Sequence, residues 1–384
     1  MRAPRSVALL IETSNEYARG LLRGIMRYQH EHERWSIDLP EQHRGAAPPA
    51  WLRHYQGHGI IARVETDAIA RAVRATKLPV IDVSAARQLP NMPGVEAGDA
   101  AIAESAVNHF AERGLRHVAF CGEVAFNWSV WRRDAFVKKA ADFAMTCAVF
   151  DVADERSGKS WPQERRRLIR WLERLPVPCG VMAAYDSLAR RILELCKQVD
   201  RSVPDSIAVL GVDDDPLLCQ LATPALTSVI PAAENAGYVA AEQLDRMMAG
   251  KKVKPAGTLL LPLGIATRRS TDIVAVDDPD VASAARFILS HAADGIRVAD
   301  VVAVVPLTRR ALELRFKSLL GKTPHELIIA TRIAKAEILL RDTSLPLQRI
   351  AYQCGIEHPE YLSVLFRKHR GMTPGEFRRA KRAR

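Results

Sequence analysis

Near its carboxyl end the chain reads RRALELRFKSLLGKTPHEL from position 309 and EYLSVLFRKHRGMTPGEF from position 360, so Phe316, Gly321 and Thr323-Pro324 recur fifty residues later as Phe366, Gly371 and Thr373-Pro374. The chemistry these copies could do lies at the start of the second helix of each. Thr308, Arg309, Arg310 and Glu313 in the first copy, and His358, Glu360, Tyr361 and Ser363 in the second, mix long donors with short polar groups. That mixture suits the donor and acceptor pattern of base edges in a major groove. Arg315 and Lys317, like Arg367, Lys368 and Arg370, suit phosphates, which set register without reading sequence.

Side chains with this task need a helix presented by a second, bracing helix. In each copy a short amphipathic segment, VADVVAVV (298–305) or LQRIAYQC (347–354), meets a break at Pro306 or Gly355-Ile356 and is followed by the basic helix. Two helices joined in this way form a helix-turn-helix, here expected over about 298–318 and 347–369. One such hairpin alone would read as a solvated basic face. Two of them, separated by a helical spacer over roughly 325–341, can reach grooves about one duplex turn (~34 Å) apart. The charge agrees: residues 279–384 hold 19 Lys+Arg against 10 Asp+Glu, whereas residues 1–278 hold 36 against 34. Positive charge concentrated in one domain is the footprint of a nucleic-acid partner.

The rest of the chain has another texture. Apolar runs VALLIE (7–12), GIIARV (59–64), VIDVS (80–84), VAFCG (118–122), CAVFDV (147–152), GVMAA (180–184) and IAVLGV (207–212) read as buried strands. Segments of helical period alternate with them, which predicts parallel sheets covered by helices. About 270 residues exceed one such sheet, so two lobes are expected. The expected organisation is a sensor over 1–272, with lobe 1 at about 5–113 plus 231–258 and lobe 2 at about 118–229 plus 259–272. A linker at 273–280 and an all-α domain at 281–384 complete it.

Other classes find little support. No run of eighteen apolar residues is present, and the first apolar stretch stops at Glu12 without a cleavage signature, so neither membrane nor export is expected. Six dispersed cysteines without a CxxC pair fit a reducing cytoplasm. GKS at 158–160 lacks the glycine of a P-loop, since position 153 is alanine; HEHE (30–33) is not HExxH; GxGxxG and GxSxG do not occur. An enzyme, a cofactor and a metal site are therefore not expected.

The segment IAYQCGIEHPEYLSVLFRKHRGMTPGEFRR (350–379) resembles the signature of AraC/XylS-type DNA-binding domains; the first copy departs from it in having Pro306 where glycine is common in the turn. The segments IETSNEYARGLLRGIMRY (11–28), VEAGDAAIAESAVNHFAERGLRHVAFCG (95–122), AAYDSLARRIL (183–193) and IAVLGVDDDPLLCQLATPALTSV (207–229) resemble the LacI/GalR and periplasmic sugar-binding group. A LacI-like sensor joined to an AraC-type reader is similar to the bacterial xylose-operon regulators. This resemblance implies a periplasmic-binding-protein-like sensor that closes on a sugar, D-xylose among the candidates, in a cytoplasmic homodimer that binds double-stranded DNA. It also implies activation through contact with RNA polymerase. Carried over by local match, Arg132 would bridge sugar hydroxyls, and Asp186 and Asp213 would accept from them. Asn15 and Tyr17 would form the near wall, Trp128 a stacking platform, and Asp99 either a ligand or a helix cap. The competing expectation is a sugar-binding protein whose basic end contacts nucleic acid or membrane without sequence preference.

Overall fold

The computed structural model describes residues 4–32, 34–89, 91–153, 161–253, 257–273, 278–343 and 345–382. The chain begins with β1 (Ser6–Leu10), α1 (Glu16–Glu31), β2 (Ser36–Asp38), β3 (Gly59–Ala62), α2 (Asp67–Ala75) and β4 (Val80–Asp82). These strands form a parallel sheet in the order β2-β1-β3-β4, extended toward β5 (Val95–Ala97) by a bridge between Asp82 and Gly94. After Gly98 the chain enters a second lobe: α3 (Asp99–Ala111), β6 (His117–Glu123), α4 (Asn127–Asp142), β7 (Thr146–Val152), α5 (Trp161–Arg174), β8 (Cys179–Ala183), α6 (Asp186–Gln198), β9 (Ile207–Val212), α7 (Pro216–Leu221) and β10 (Thr227–Ile230). Helix α8 (Ala233–Met248) returns to the first lobe, β11 (Thr258–Leu260) pairs with β5, and β12 (Gly264–Ala266) lies antiparallel to β10. The second sheet has the order β12-β10-β9-β8-β6-β7. The chain thus passes three times between lobes, which is what a hinge requires.

Each of the seven apolar runs supplies a strand; six are buried, since strands covered on both faces need no polar alternation, whereas β7 lies at the sheet edge and buries only Phe150. Two expected boundaries are corrected. Helix α3 packs into the lobe-2 core through Ile102, Val107 and Phe110, so residues 99–113 belong to lobe 2, not lobe 1. The expected linker at 273–280 also shrinks. Ile273 is buried in the sensor core, and Asp278 caps α9 (Pro279–His291), leaving 274–277 outside the described residues.

The segment before that junction is fastened to lobe 2. Ser270 Oγ donates to the Val209 carbonyl (2.6 Å) and Arg113 Nε to the Thr271 carbonyl (2.8 Å); Arg268 pairs with Asp214 (2.7 Å). Residues 268–271 are therefore tied to lobe 2.

Beyond α9 come α10 (Val298–Ala303), α11 (Arg309–Leu320), α12 (Pro324–Asp342), α13 (Leu347–Gln353), α14 (Pro359–Arg370) and α15 (Pro374–Arg382), with no strand among the described residues. The repeated Gly and Thr-Pro have a local cause. Gly321 and Gly371 end α11 and α14 in the left-handed conformation (φ +67° and +72°), where a side chain would be strained. Thr323 and Glu326 then form a capping box that opens α12, and Thr373 and Glu376 exchange the same bonds. Helix α12 is the shared wall. Its Ile328 joins Leu312 and Phe316 in one core, while Ile329, Ile333, Ala336 and Leu340 join Leu362 and Phe366 in the other.

Candidate effector cavity and nucleic-acid interface

A cavity of about 40 Å³ lies between the lobes, lined by Tyr17, Arg44, Arg63, Ser84, Ala85, Ala97, Asp99, Trp128, Arg132, Ala184, Tyr185 and Asp213. By volume it holds roughly three waters. Five of the seven sensor residues expected from sequence (Tyr17, Asp99, Trp128, Arg132 and Asp213) thus line one cavity.

The other two do not, and both are corrected. Asn15 spends its amide locally: Oδ1 accepts from Ala18 N–H (2.9 Å) as the cap of α1, and Nδ2 donates to Glu12 (2.7 Å). Asp186 is 2% exposed and lies beneath the cavity floor. Its Oδ1 accepts from Ser228 Oγ (2.6 Å) and its Oδ2 from Asp215 N–H (2.7 Å), so it holds the 213–215 loop in place. Burial pushes its carboxyl well above the usual range, and the nearby Asp213 adds to this. Both Asp213 (φ 111°) and Asp214 (φ 54°) adopt backbone conformations that side chains disfavour, and the Asp186 scaffold helps to keep them there.

The cavity's charges are ordered. Arg132, 6% exposed and carried by α4, donates to Asp99 through Nε (3.1 Å) and Nη2 (2.7 Å) and to the Ala184 carbonyl through Nη1 (2.5 Å). Gly98, not Asp99, is the residue capping α3, and it makes no side-chain cap bond; the Asp99 carboxylate is instead the partner of Arg132. Burial still raises the Asp99 carboxyl, with Arg132 opposing it. On the lobe-1 side Arg63 bonds both Glu12 and Glu65, the latter at 2.5 Å. Burial pushes Glu12 up, but Arg63 and its hydrogen bonds carry it below the usual carboxylate range; Glu65 stays above it because burial outweighs Arg63. Asp213 makes no hydrogen bond through its carboxylate with the described residues, and burial pushes it up to about 6.

The walls are aromatic. Trp128 stacks on Phe126 (5.6 Å between centroids, 19° between planes), and Tyr185 stands edge-on to Trp128. Arg44 reaches from the lobe-1 segment after β2 over three lobe-2 rings, 4.6 Å from Tyr185, 5.3 Å from Trp128 and 5.8 Å from Phe126. Two further bonds cross the crevice, Arg19 to Asp215 (2.7 Å) and Asn127 Nδ2 to the Ala86 carbonyl (2.8 Å). Trp128 also lies beside Glu65 and favours its ionised form, opposing the effect of burial. Paired acceptors, fork-shaped donors and flat apolar walls are what a polyhydroxylated ring asks of a site. Sequence reasoning missed Arg44, Arg63, Ser84 and Tyr185. Arg63 and Ser84 follow strand ends and could have been suspected from that rule; Arg44 lies in a segment with no motif. Among the described residues no group of three His, Cys, Asp or Glu side chains could hold a metal.

At the other end of the chain all thirteen expected DNA-contacting side chains lie on α11 or α14 or at their caps, and none is buried. Thr308 caps α11, accepting from Ala311 N–H, while His358 stands at the cap of α14 without a side-chain bond. Arg309 pairs with Glu313 (3.0 Å), Arg315 with Asp278 (3.0 Å) and Lys317 with Glu326 (3.7 Å), whereas Arg310, Arg367 and Lys368 form no ion pair with described residues. Ser363 Oγ donates back to the Pro359 carbonyl, and Tyr361 is half exposed. The two units are braced against each other. Arg332 on α12 donates to the Ala292 and Ile296 carbonyls (both 2.8 Å), and Gly355, at φ +69°, sits so near the same loop that a Cβ there would be 2.6 Å from Gly295 N. The counterpart of Gly355 at the fifty-residue offset is Val305, which has no positive φ, so the first turn closes without the conformation that Pro306 could not adopt.

Fold and site together define a class: a two-lobed periplasmic-binding-protein-like sensor joined to an AraC-type reader with two helix-turn-helix units. Known families match in the same order: an XylR N-terminal domain over residues 6–97, a periplasmic binding protein-like domain over 107–271 and a helix-turn-helix domain over 301–380. The xylose operon regulatory protein of Escherichia coli K12 is 31% identical over 97% of this chain and 96% of its own length. That of Haemophilus influenzae is 30% identical over 97% of both. A solved xylose-binding transcription activator superposes with a TM-score of 0.65 at 30% identity, covering 98% of each chain. The chain belongs to the family of xylose operon regulatory proteins. No helix among the described residues is long and apolar enough to cross a membrane.

Proposed function

We propose that this chain regulates transcription by binding double-stranded DNA through α11 and α14, in response to a pentose, D-xylose first among the candidates, held between its lobes. The observation that carries this reading is a cavity lined by both lobes on a chain whose far end holds two braced helix-turn-helix units. Tyr17, Arg44 and Arg63 contribute from lobe 1, and Asp99, Trp128, Arg132 and Asp213 from lobe 2. A cavity of about 40 Å³ is too small for a sugar ring, so the lobes part to admit it and close again on it. An effector that binds the closed state more tightly shifts the population toward closure. A near-complete switch needs a difference of about 5.5 kcal/mol, hence contacts from both lobes. Because residues 268–271 are fastened to lobe 2, the reader's point of attachment turns with that lobe.

Helix α12, with 19 residues, is about 28 Å long and serves as the spacer between the two units. Homodimerisation would let closure change the spacing of two readers, and activation would proceed through contact with RNA polymerase. The test is a competition gel shift of the full chain on the DNA upstream of its own gene against random duplex, with and without D-xylose. Specific binding exceeding non-specific binding by at least ~10³, and strengthened by the sugar, is the expected result. Binding that is steeply salt-dependent and indifferent to sequence would instead assign the basic domain a non-specific role.

A further inference from the structure

One exposed leucine on a helix needs no explanation. Two open apolar side chains at the same place in a repeat do. Leu314 on α11 and Val364 on α14 stand at the fifty-residue offset, and each is 64% exposed, the most open of the large apolar side chains on either helix. Each lies two residues from both core anchors of its helix, Leu312 and Phe316 or Leu362 and Phe366, all four fully buried. Two residues turn an α-helix by about 200°, so both side chains point directly away from the core. Neither contributes to its own unit's packing, and β-branched Val364 is a poor choice for helix formation as well. One turn away on the same outward face stand Arg310 and Lys317 in the first unit, and Glu360, Arg367 and Lys368 in the second. Of these, Arg310, Arg367 and Lys368 form no ion pair with described residues. The two apolar groups are thus framed by cations suited to a polyanion.

We propose that Leu314 and Val364 each read the C5-methyl of a thymine in the major groove, and that the site this chain binds carries two such thymines about one duplex turn (~34 Å) apart. The inference deepens the DNA-binding reading above and rests on it. Adenine, guanine and cytosine offer only hydrogen-bonding groups on the groove floor, whereas thymine adds a methyl. A leucine or valine pressed on a nitrogen or oxygen strips water from it and returns no hydrogen bond. Pressed on a methyl, it removes apolar surface from water on both sides. The polar and basic neighbours hold each helix in the groove, and the apolar tip at its centre discriminates.

Uracil is thymine without the methyl, so it deletes the contact from the DNA side. DNA from upstream of the chain's own gene, with thymine replaced at random by uracil, is bound by the full chain; bound and free fractions are separated on a gel and cleaved at uracil. Two positions about one turn apart should be depleted from the fraction bound by wild type. Leu314→Ala should lose the sensitivity at one of them and Val364→Ala at the other. Each uracil, and each alanine on thymine-containing DNA, should weaken binding about 3- to 10-fold, and the paired losses should not add, because both remove one contact. Melting curves of the two variants should match wild type, since both side chains are exposed. Undiminished uracil sensitivity in both variants, or no sensitive thymine within a specifically protected region, overturns this inference and leaves the DNA-binding reading standing. Unchanged DNA affinity with lost transcription would assign the two residues to a protein partner and overturns it too. If no region is bound in preference to random duplex, the DNA-binding reading falls and this inference with it.

Discussion

Arg132→Ala puts the cavity to a quantitative trial. In the folded chain the guanidinium satisfies Asp99 and the Ala184 carbonyl, and both Arg132 and Asp99 side chains are 8% exposed. Removing it strands a buried carboxylate, and breaking a buried pair from one side costs about 3–5 kcal/mol. For a sensor of this size that corresponds to a fall in melting temperature on the order of 10 °C. Most of the loss comes from the orphaned charge rather than from the missing arginine. Adding Asp99→Asn to Arg132→Ala should therefore recover about 1–3 kcal/mol, because an amide carries no charge to strand. Effector affinity should not recover with it: a charge-assisted hydrogen bond is worth about 1.5–3 kcal/mol, or roughly 10- to 150-fold in binding. Urea denaturation of the two variants measures the first quantity and titration calorimetry with D-xylose the second; DNA affinity without sugar should stay as in wild type. A double variant no more stable than Arg132→Ala would refute the stranded-charge argument, and unchanged sugar affinity would remove Arg132 from the site.

Two further outcomes are expected. Asp213 titrates at about 6 in the folded chain because burial raises it, against ~3.9 when unfolded. The folded state therefore holds this proton more tightly. The stability contributed by this residue falls as pH rises from about 4 to 6, while effector affinity, which needs the carboxylate, rises over pH 5 to 7; calorimetry should show that step vanish in Asp213→Asn, and an identical pH profile would exclude the residue. Gly355→Ala combines a left-handed backbone with a Cβ 2.6 Å from Gly295 N and 2.8 Å from the Ala293 carbonyl, for about 2–4 kcal/mol in the reader. Gly321→Ala, with open space around its Cβ, should cost only the conformational ~1–2 kcal/mol; equal shifts in the two melting curves would mean the junction between the units is not tightly packed.

The reader was largely legible before folding because its signals are local. Caps, left-handed glycines and apolar ladders act within one or two turns, and their repetition at an offset of fifty marks two units. Six of the seven strands that lie in apolar runs were legible for a similar reason, since burial on both faces leaves an unbroken apolar run; the edge strand β7 is the exception. Short crossing strands such as β5 and β11 were not legible: three residues show no period, and their pairing spans more than 150 positions. The lobe of α3 was hidden too, because a helix after a crossing carries no mark of the side on which it lands.

In the sensor, what sequence alone determined was a supply of charged and aromatic groups at the ends of strands, since strand termini are where side chains emerge from a sheet. Which of them face the effector was decided only by tertiary packing. Asp186 and Asp213 both stand where a strand ends, yet one is spent beneath the loop and the other opens into the cavity. Arg44 has no motif at all and acquires its place because two lobes bring a segment of one over the rings of the other. Hydrogen-bond partners and burial are properties of the assembled crevice, and no local pattern encodes them.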